Sequence, residues 1–397
     1  MMPDQNEGDS PAIWMLALGQ TFGFASLFYI YGALLVWVVD DTGWDRSSLA
    51  IGLTLALIVS ALTVSFSGRM VDRGLGAELL VGGAAFGGFG LLALSRVQTI
   101  VGWHICWALI GLAMSACLYD TCFAFLTRRL GTDARAAIIR VSLVAGLAST
   151  MAFPLGAVLA QNFGWRGAVV AFGSIQLFAT VPLHFFAGRR LRRKERRSSK
   201  ADQSDDGALG RAIRTRSFWL LAGAFGLAMM NHSMLVTYFI SVFTSLGIAQ
   251  AGAVAAASLV GPFQVIGRLA LMLQGKRIGS LASTRGALIG MATASMLLML
   301  AGIALPLIFV FSAVQGASIG MISILRPVLI AEVLGRSGFG AISGAIASVP
   351  IFATAAAPLV GAILLESGGT MVFLIASFLM ASVALSFALI LRGAYSE

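Results

Sequence analysis

Charged residues along this chain are confined to short intervals, and the stretches between them are apolar all round. No residue from Ile13 to Val39 carries a charge, and eleven further runs are nearly as clean. Each reaches the roughly 20 residues that a helix needs to cross hydrocarbon. A helix on the surface of a soluble domain would be apolar on one face only. The pattern predicts an all-α membrane protein with twelve transmembrane helices, near 12–39, 47–68, 77–95, 101–126, 139–161, 165–187, 217–245, 250–274, 284–303, 306–330, 339–364 and 370–391.

The polar intervals divide these spans six and six. "GRRLRRKERRSSKADQSDDGALGRAIRTRS", Gly188–Ser217, is the one long hydrophilic stretch. It is charge-rich and apolar-poor, which predicts a mobile cytoplasmic tether. The expected domains are a cytoplasmic tail (1–11), a six-helix bundle (12–187), a basic linker (188–216), a second six-helix bundle (217–392) and a short cytoplasmic tail (393–397). The opening "MMPDQNEGDSP" lacks the basic start and small-residue cleavage site of a signal peptide, so the first span is expected to be retained.

Composition agrees with a polytopic membrane protein: 58% of residues are hydrophobic and 11% charged, against about 25% charged in soluble domains. The net charge of +10 would suit a nucleic-acid partner, but its distribution argues otherwise. With the N-terminus inside, 22 of the 27 Lys and Arg fall on the cytoplasmic side, and Arg46, Arg96 and Arg166 fall outside. Arg268 and Arg326 lie within spans. That asymmetry puts both termini in the cytoplasm. Anionic membrane lipids, not nucleic acid, are then the expected contacts of the basic charge.

The halves resemble each other. "RRLGTDARAAIIRVSLVAGLASTMAFPLGAVLAQNFG" lies over "EVLGRSGFGAISGAIASVPIFATAAAPLVGAILLESG" at a shift of 204 residues, without a gap over 37 positions. Leu130-Gly131 meets Leu334-Gly335, Pro154 meets Pro358 and Gly164 meets Gly368. Paired six-helix repeats are a transporter design.

Between spans two and three stands "SGRMVDRGLG", in which Gly68, Asp72, Arg73 and Gly74 resemble the core of the signature G-x-x-x-D-R-x-G-[RK]-[RK]. Gly76, Ala77 and Glu78 follow in place of the basic pair. On this loop and the twelve-span pattern, residues 12–392 resemble the major facilitator superfamily. "GLASTMAFPLG" in span five is loosely similar to the Gly/Pro motif of its proton antiporters. "DDTGWDRSSLA", "FLTRRLGTDARAA" and an arginine deep in span eight are similar to its bacterial monocarboxylate and oxalate/formate carriers. Arg140 and the lack of an aspartate before Arg268 depart from that branch. The resemblance implies a secondary transporter of the bacterial inner membrane, acting as a single chain by alternating access.

The ionisable groups inside spans carry the candidate chemistry. Asp120 fits a carboxylate that couples transport to protons, and equally a structural pair with Arg128, Arg129 or Arg326. Arg268 has Gln264 four residues earlier and Gly261-Pro262 in the same helix, a corner suited to an anion. The resemblance implies that Arg268 binds a substrate carboxylate; snorkelling or an ion pair is the plainer role. The superfamily lines its cavity with helices one, four, seven and ten. That makes Asn231 and His232 candidates for substrate contact, and His232 also for proton handling, with helix packing the alternative. Gln20, Phe24 and Tyr31 fall near one face of span one and are candidate cavity lining or plain packing; Gln315 and Ser318 in span ten are weaker. Asp72 is expected to accept hydrogen bonds from an arginine or a helix N-terminus, within a gating loop whose geometry Arg69 and Arg73 fix. His104 and His184 are expected at the membrane interfaces, facing headgroups or water.

Cys106, Cys117 and Cys122 all fall in span four and form no disulfide framework. Cys106 and Cys117 stand about 16 Å apart along a helix, too far to share one metalloid atom. No metal or cofactor is expected. The chain has no G-x-x-x-x-G-K-[ST] motif, so the energy source is expected to be an ion gradient, with H⁺ first. The expected function is proton-coupled movement of a small organic anion such as a monocarboxylate. Efflux of a drug, arsenite or an organoarsenical, and uptake of a vitamin or other nutrient, are the alternatives. No catalytic pairing of histidine and carboxylate stands in a span, which argues against an intramembrane enzyme; a transport-dead sensor would share the same pattern.

Overall fold

A computed structural model describes residues 10–195, 207–275 and 277–391. Most of the two tails and the middle of the linker (residues 196–206) lie outside the described residues. All regular structure among the described residues is helical. It forms nine stretches long and apolar enough to cross a membrane. Three of them contain a break at a glycine: Arg46–Leu94 at Gly74 (φ 89°), Ala134–Leu191 at Gly164 (φ 69°) and Phe339–Ile390 at Gly369 (φ 67°). A backbone in this left-handed region is open to glycine at little cost, so a helix ends and the next begins with almost no loop.

Nine stretches with three breaks give the twelve helices read from the sequence. They are α1 (Ser10–Thr42), α2 (46–73), α3 (75–94), α4 (Ile100–Leu130), α5 (134–163), α6 (165–195), α7 (Arg216–Ser245), α8 (Gln250–Gln274), α9 (Ser280–Leu300), α10 (Leu307–Leu334), α11 (339–367) and α12 (370–390). The basic run is less irregular than expected. α6 continues through Gly188 to Glu195, and Ala208–Ile213 forms a further short helix. Lys and Arg are good helix formers, and a helix already nucleated in the membrane extends cheaply into them.

Contacts gather the chain into two units. The first comprises Met1–Leu209 with Arg336–Ser348; the second comprises Gly210–Gly335 with Val349–Glu397. The start of α11 therefore packs with the first six helices.

In the first unit, α2 and α4 cross with backbones touching. A methyl group on Gly111 would overlap the Ala56 main chain, and Gly52 makes room for the rings of Trp103 and Trp107. Around them Leu27, Ile30, Leu34, Ile110 and Phe172 form the core. At one end a fork joins three connections. The Asp41 carboxylate accepts from Trp165 Nε1 (2.8 Å) and Arg166 Nη1 (2.5 Å), and Arg166 Nη2 donates to the Val97 carbonyl (3.1 Å). Asp45 caps α2, accepting from the Ser47 hydroxyl and the Ser48 amide, and these bonds hold its carboxyl below the usual range.

The second unit repeats the scheme. Here α8 and α10 cross closely: Gly316 lies on the Val260 carbonyl, Gly267 on Ala317 and Gly320 on Gln264. Ala56 and Val260 are 204 residues apart, the shift of the sequence repeat. Phe239, Phe243, Phe311 and Phe373 are buried at its core. Arg285 of α9 donates to the carbonyls of Ala388 (3.0 Å), Leu389 (3.2 Å) and Leu391 (2.8 Å), satisfying the end of α12. Helices cross this closely in membranes because small residues let dispersion contacts and lipid exclusion act at short range.

Gly111→Ala and Gly316→Ala should each destabilise the protein by about 1–3 kcal/mol, the usual penalty for overpacking. Gly261→Ala, where nothing lies in the way, should not. Melting curves of the three variants in detergent check this; three equal midpoints would contradict the close crossings.

Candidate functional site

The side chains of interest fall into four clusters, two in each unit. The first joins the α2–α3 break to the start of α11. Asp72 is buried, and its carboxylate accepts from the Gly340 amide (Oδ1, 2.7 Å) and the Ala341 amide (Oδ2, 2.8 Å). These are first-turn N–H groups of α11, which have no partner within their own helix and carry the positive end of its dipole. A negative charge there makes short, charge-assisted bonds. The approach requires bare backbone. Methyl groups on Gly68 and Gly340 would each overlap the other's carbonyl, and one on Gly344 would meet that of Val64. From α4, Arg128 Nη1 donates to the Asp72 carbonyl oxygen (2.5 Å).

Of the two partners expected for Asp72, the structure supplies the helix N-terminus. Arg69 and Arg73 are exposed, and Arg69 lies over the Phe66 ring (5.9 Å). Arg128, offered by the sequence only as a partner of Asp120, also bonds the loop backbone. In strict register the signature's second glycine falls on Leu75; the left-handed residue is Gly74, one position earlier. The pair Gly340 and Gly344, one turn apart at the start of α11, was the overlooked signal.

The second cluster surrounds Asp120. α4 is not continuous: Leu118 adopts an extended conformation (φ −88°, ψ −163°), and a new helical segment runs from Tyr119 to Leu130. Asp120 therefore lies in the first turn of a helix, half-buried, at its positive end. Thr121 Oγ1 donates to the Ser115 carbonyl (2.7 Å), satisfying an oxygen at the interruption. Gln20 and Phe24 come to this break. Gln20 Nε2 donates to the Cys117 carbonyl (2.7 Å), and the Phe24 ring lies 4.3 Å from that of Tyr119. Tyr31 does not join them; its ring packs edge-on against Trp107 at 5.3 Å. Between Phe24 and Tyr31 a π-turn, Ala25–Tyr29, changes the helical register, so the face read from regular spacing is split.

His184 departs from expectation. It is completely buried, with Nδ1 3.2 Å from the Leu80 carbonyl and Nε2 3.4 Å from Gln20 Nε2. Donation from Nδ1 leaves Nε2 to accept from the Gln20 amide. It faces neither headgroups nor bulk water because Gly19 of α1 admits its ring. His104 is half-buried, with Nε2 2.8 Å from the Ser48 carbonyl.

The third cluster is the core of the second unit. Asn231 is fully buried; its Nδ2 donates to the carbonyl (2.8 Å) and hydroxyl (2.8 Å) of Ser377 and approaches Ser295 Oγ (3.3 Å). Its Oδ1 accepts from Gln315 Nε2 (3.0 Å). Every hydrogen-bonding group of the Asn231 side chain is thus engaged with α9, α10 and α12. Gln315 shares it, and Ser318 is buried. His232, the next residue, is half-buried, and its Nδ1 has no hydrogen-bond partner.

The fourth cluster is on α8. Arg268 is 7% exposed, buried for so long a charged side chain, and Gln264 is half-buried one turn before it. The close packing of Gly267 and Gly320 sets this stretch of α8 against α10. All three cysteines are buried free thiols.

The family model of the Major Facilitator Superfamily matches residues 16–349. The chain belongs to the major facilitator superfamily. It is an integral membrane protein and a secondary transporter, not an enzyme. Among solved structures it is similar to the superfamily transporter FucP in the outward conformation, with a TM-score of 0.72 and 12% identity, over 95% of this chain and 97% of that one. At that identity the likeness speaks for the fold. No curated protein matches the sequence.

Asn231→Ala should lower stability by about 1–3 kcal/mol, because Gln315 and Ser377 lose a shared buried partner, while leaving the apparent KM of a transported solute unchanged. A raised KM with an unaltered melting point would return Asn231 to the solute path.

Proposed function

We propose that this transporter moves a small organic anion with protons, that Arg268 holds the anion, and that Asp120 is the coupling carboxylate. The observation carrying the proposal is the break at Leu118. It lodges an acid, half-buried, within the apolar span at the positive end of a helical segment. A carboxylate serving only to pair with a neighbour needs no interrupted helix. Discontinuous helices are a recurring device for ion and substrate sites in transporters. His232, with an unengaged ring nitrogen in the middle of α7, and Gln20 and Phe24, at the Asp120 break, are the supporting polar and aromatic contacts. Arg268 cannot shed its charge and presents a planar fork suited to a carboxylate; Gln264 extends that surface.

The contact of Asp72 with the α11 N-terminus acts in this reading as a latch. Its two charge-assisted bonds, about 1.5–3 kcal/mol each, are of the size that transport must make and break in each cycle. The protein acts as a single chain in the inner membrane with both termini in the cytoplasm, an orientation supported by its charge asymmetry.

Proteoliposomes with an imposed pH gradient and labelled lactate as probe test the coupling. Gradient-driven uptake is expected in the unaltered protein and should be lost in Asp120→Asn, with solute exchange at zero gradient retained. Arg268→Ala should lose both. Full gradient-driven uptake by Asp120→Asn would refute the assignment.

A further inference from the structure

Of a group of buried polar side chains in the first unit, only Gln20 has a part in the transport reading. Gln20 on α1 and Gln176, Thr180 and His184 on α6 are all completely buried. The three on α6 are spaced by four and share one face. Gln20 meets His184, and successive crossings run in opposite directions. Moving outward along α1 from Gln20 therefore moves backward along α6, past Thr180 to Gln176. Both helices carry a π-turn nearby, Ala25–Tyr29 and Gln176–Thr180; in the second, the Val181 amide bonds the Gln176 carbonyl in place of the usual helical partner. π-turns often mark functional positions.

The hydrogen bonding of this seam is incomplete. Gln20 Oε1, both Gln176 Oε1 and Nε2, and Thr180 Oγ1 are buried without a partner, as is Ser26 Oγ on the next turn of α1. An amide shut away from water with neither end bonded is strongly unfavourable, and within a membrane bulk water cannot reach in to help. The missing partner must both donate and accept, because Gln176 presents an unmet N–H group beside unmet oxygens. A metal cation would satisfy the oxygens and leave the N–H groups bare. Water does both, and a buried water needs about two to four polar partners of this kind.

We propose that the α1–α6 seam is an internal hydration site, in which a short file of ordered water follows α6 over about 12 Å, from the Gln176 amide past the Thr180 hydroxyl to Gln20 Oε1, with His184 at its inner end. The site lies within one bundle and does not depend on the identity of the solute.

X-ray radiolytic hydroxyl labelling of the full chain in nanodiscs, read by mass spectrometry, tests the site, since radicals formed from bound water oxidise the side chain beside it. His184 should be oxidised several-fold faster than Phe172, which is equally buried in the same unit but lies among apolar residues. Gln176→Leu with Thr180→Val should bring His184 down to the Phe172 level. If that variant does not fold, the comparison within the unaltered protein decides: equal labelling of His184 and Phe172 overturns the proposal. Melting in sodium chloride and in choline chloride at equal ionic strength should give the same midpoint. A sodium-dependent rise that disappears in Gln176→Leu would place a cation in the seam and also overturn it.

Discussion

A bilayer interior offers main-chain amides and carbonyls nothing to bond to, and this constraint shapes the molecule. It favours helix for the described spans and decides where a helix can stop. Three such places come with a compensating group. At Leu118 the Thr121 hydroxyl reaches back to the Ser115 carbonyl. At the start of α11 the Asp72 carboxylate collects two amides that its own helix cannot use. At the end of α12 Arg285 takes three carbonyls. Charged side chains are few in this protein, and several of the buried or half-buried ones stand at helix ends, where main-chain polarity is unmet.

The second organising element is the absence of side chains. Gly111 in the first unit and Gly316 in the second let a neighbouring backbone come within contact distance of their own. The latch is built the same way, with Gly68 facing Gly340. Glycine lowers helix propensity in water. In a bundle surrounded by lipid it allows the tightest crossings, because close backbone approach replaces a hydrophobic force that lipid does not supply. The polar groups held at these crossings are thereby fixed in position. Asp72 can reach two amides at once only because no Cβ intervenes.

The twelve helices could be read from the sequence because hydrophobic length is a strong signal. Even the tightest turns fell where expected, at Gly74, Gly164 and Gly369. The interruption of α4 could not be read. "SACLYDTC" contains neither glycine nor proline, and the Thr121 hydroxyl that meets the Ser115 carbonyl beside the extended Leu118 is a contact within the folded helix that spacing does not announce. The π-turn in α1 was equally silent, so Tyr31 was grouped with Gln20 and Phe24 on a face that the real helix divides. Asn231 and His184 show a further limit. A polar residue in an apolar span can face a water-filled route or another helix, and spacing along one helix does not say which. Asn231 is held by α9, α10 and α12, partners far away in sequence.

The turn glycines also record how the two halves have diverged. Gly164 is left-handed in the first half, whereas in the second that conformation belongs to Gly369, one residue beyond the counterpart Gly368. A slip of one residue rotates everything after it by about 100° around the helix axis. Downstream of the slip, the positions matching Gln176, Thr180 and His184 are Met380, Ala384 and Ala388, or in the slipped register Ala381, Leu385 and Leu389. By either count they are apolar. The buried face of α6 is thus polar in one half and apolar at the matching positions of the other, where α12 meets α7 through Ser377 and Asn231 instead, so the two halves draw their internal hydrogen bonds from different turns of corresponding helices.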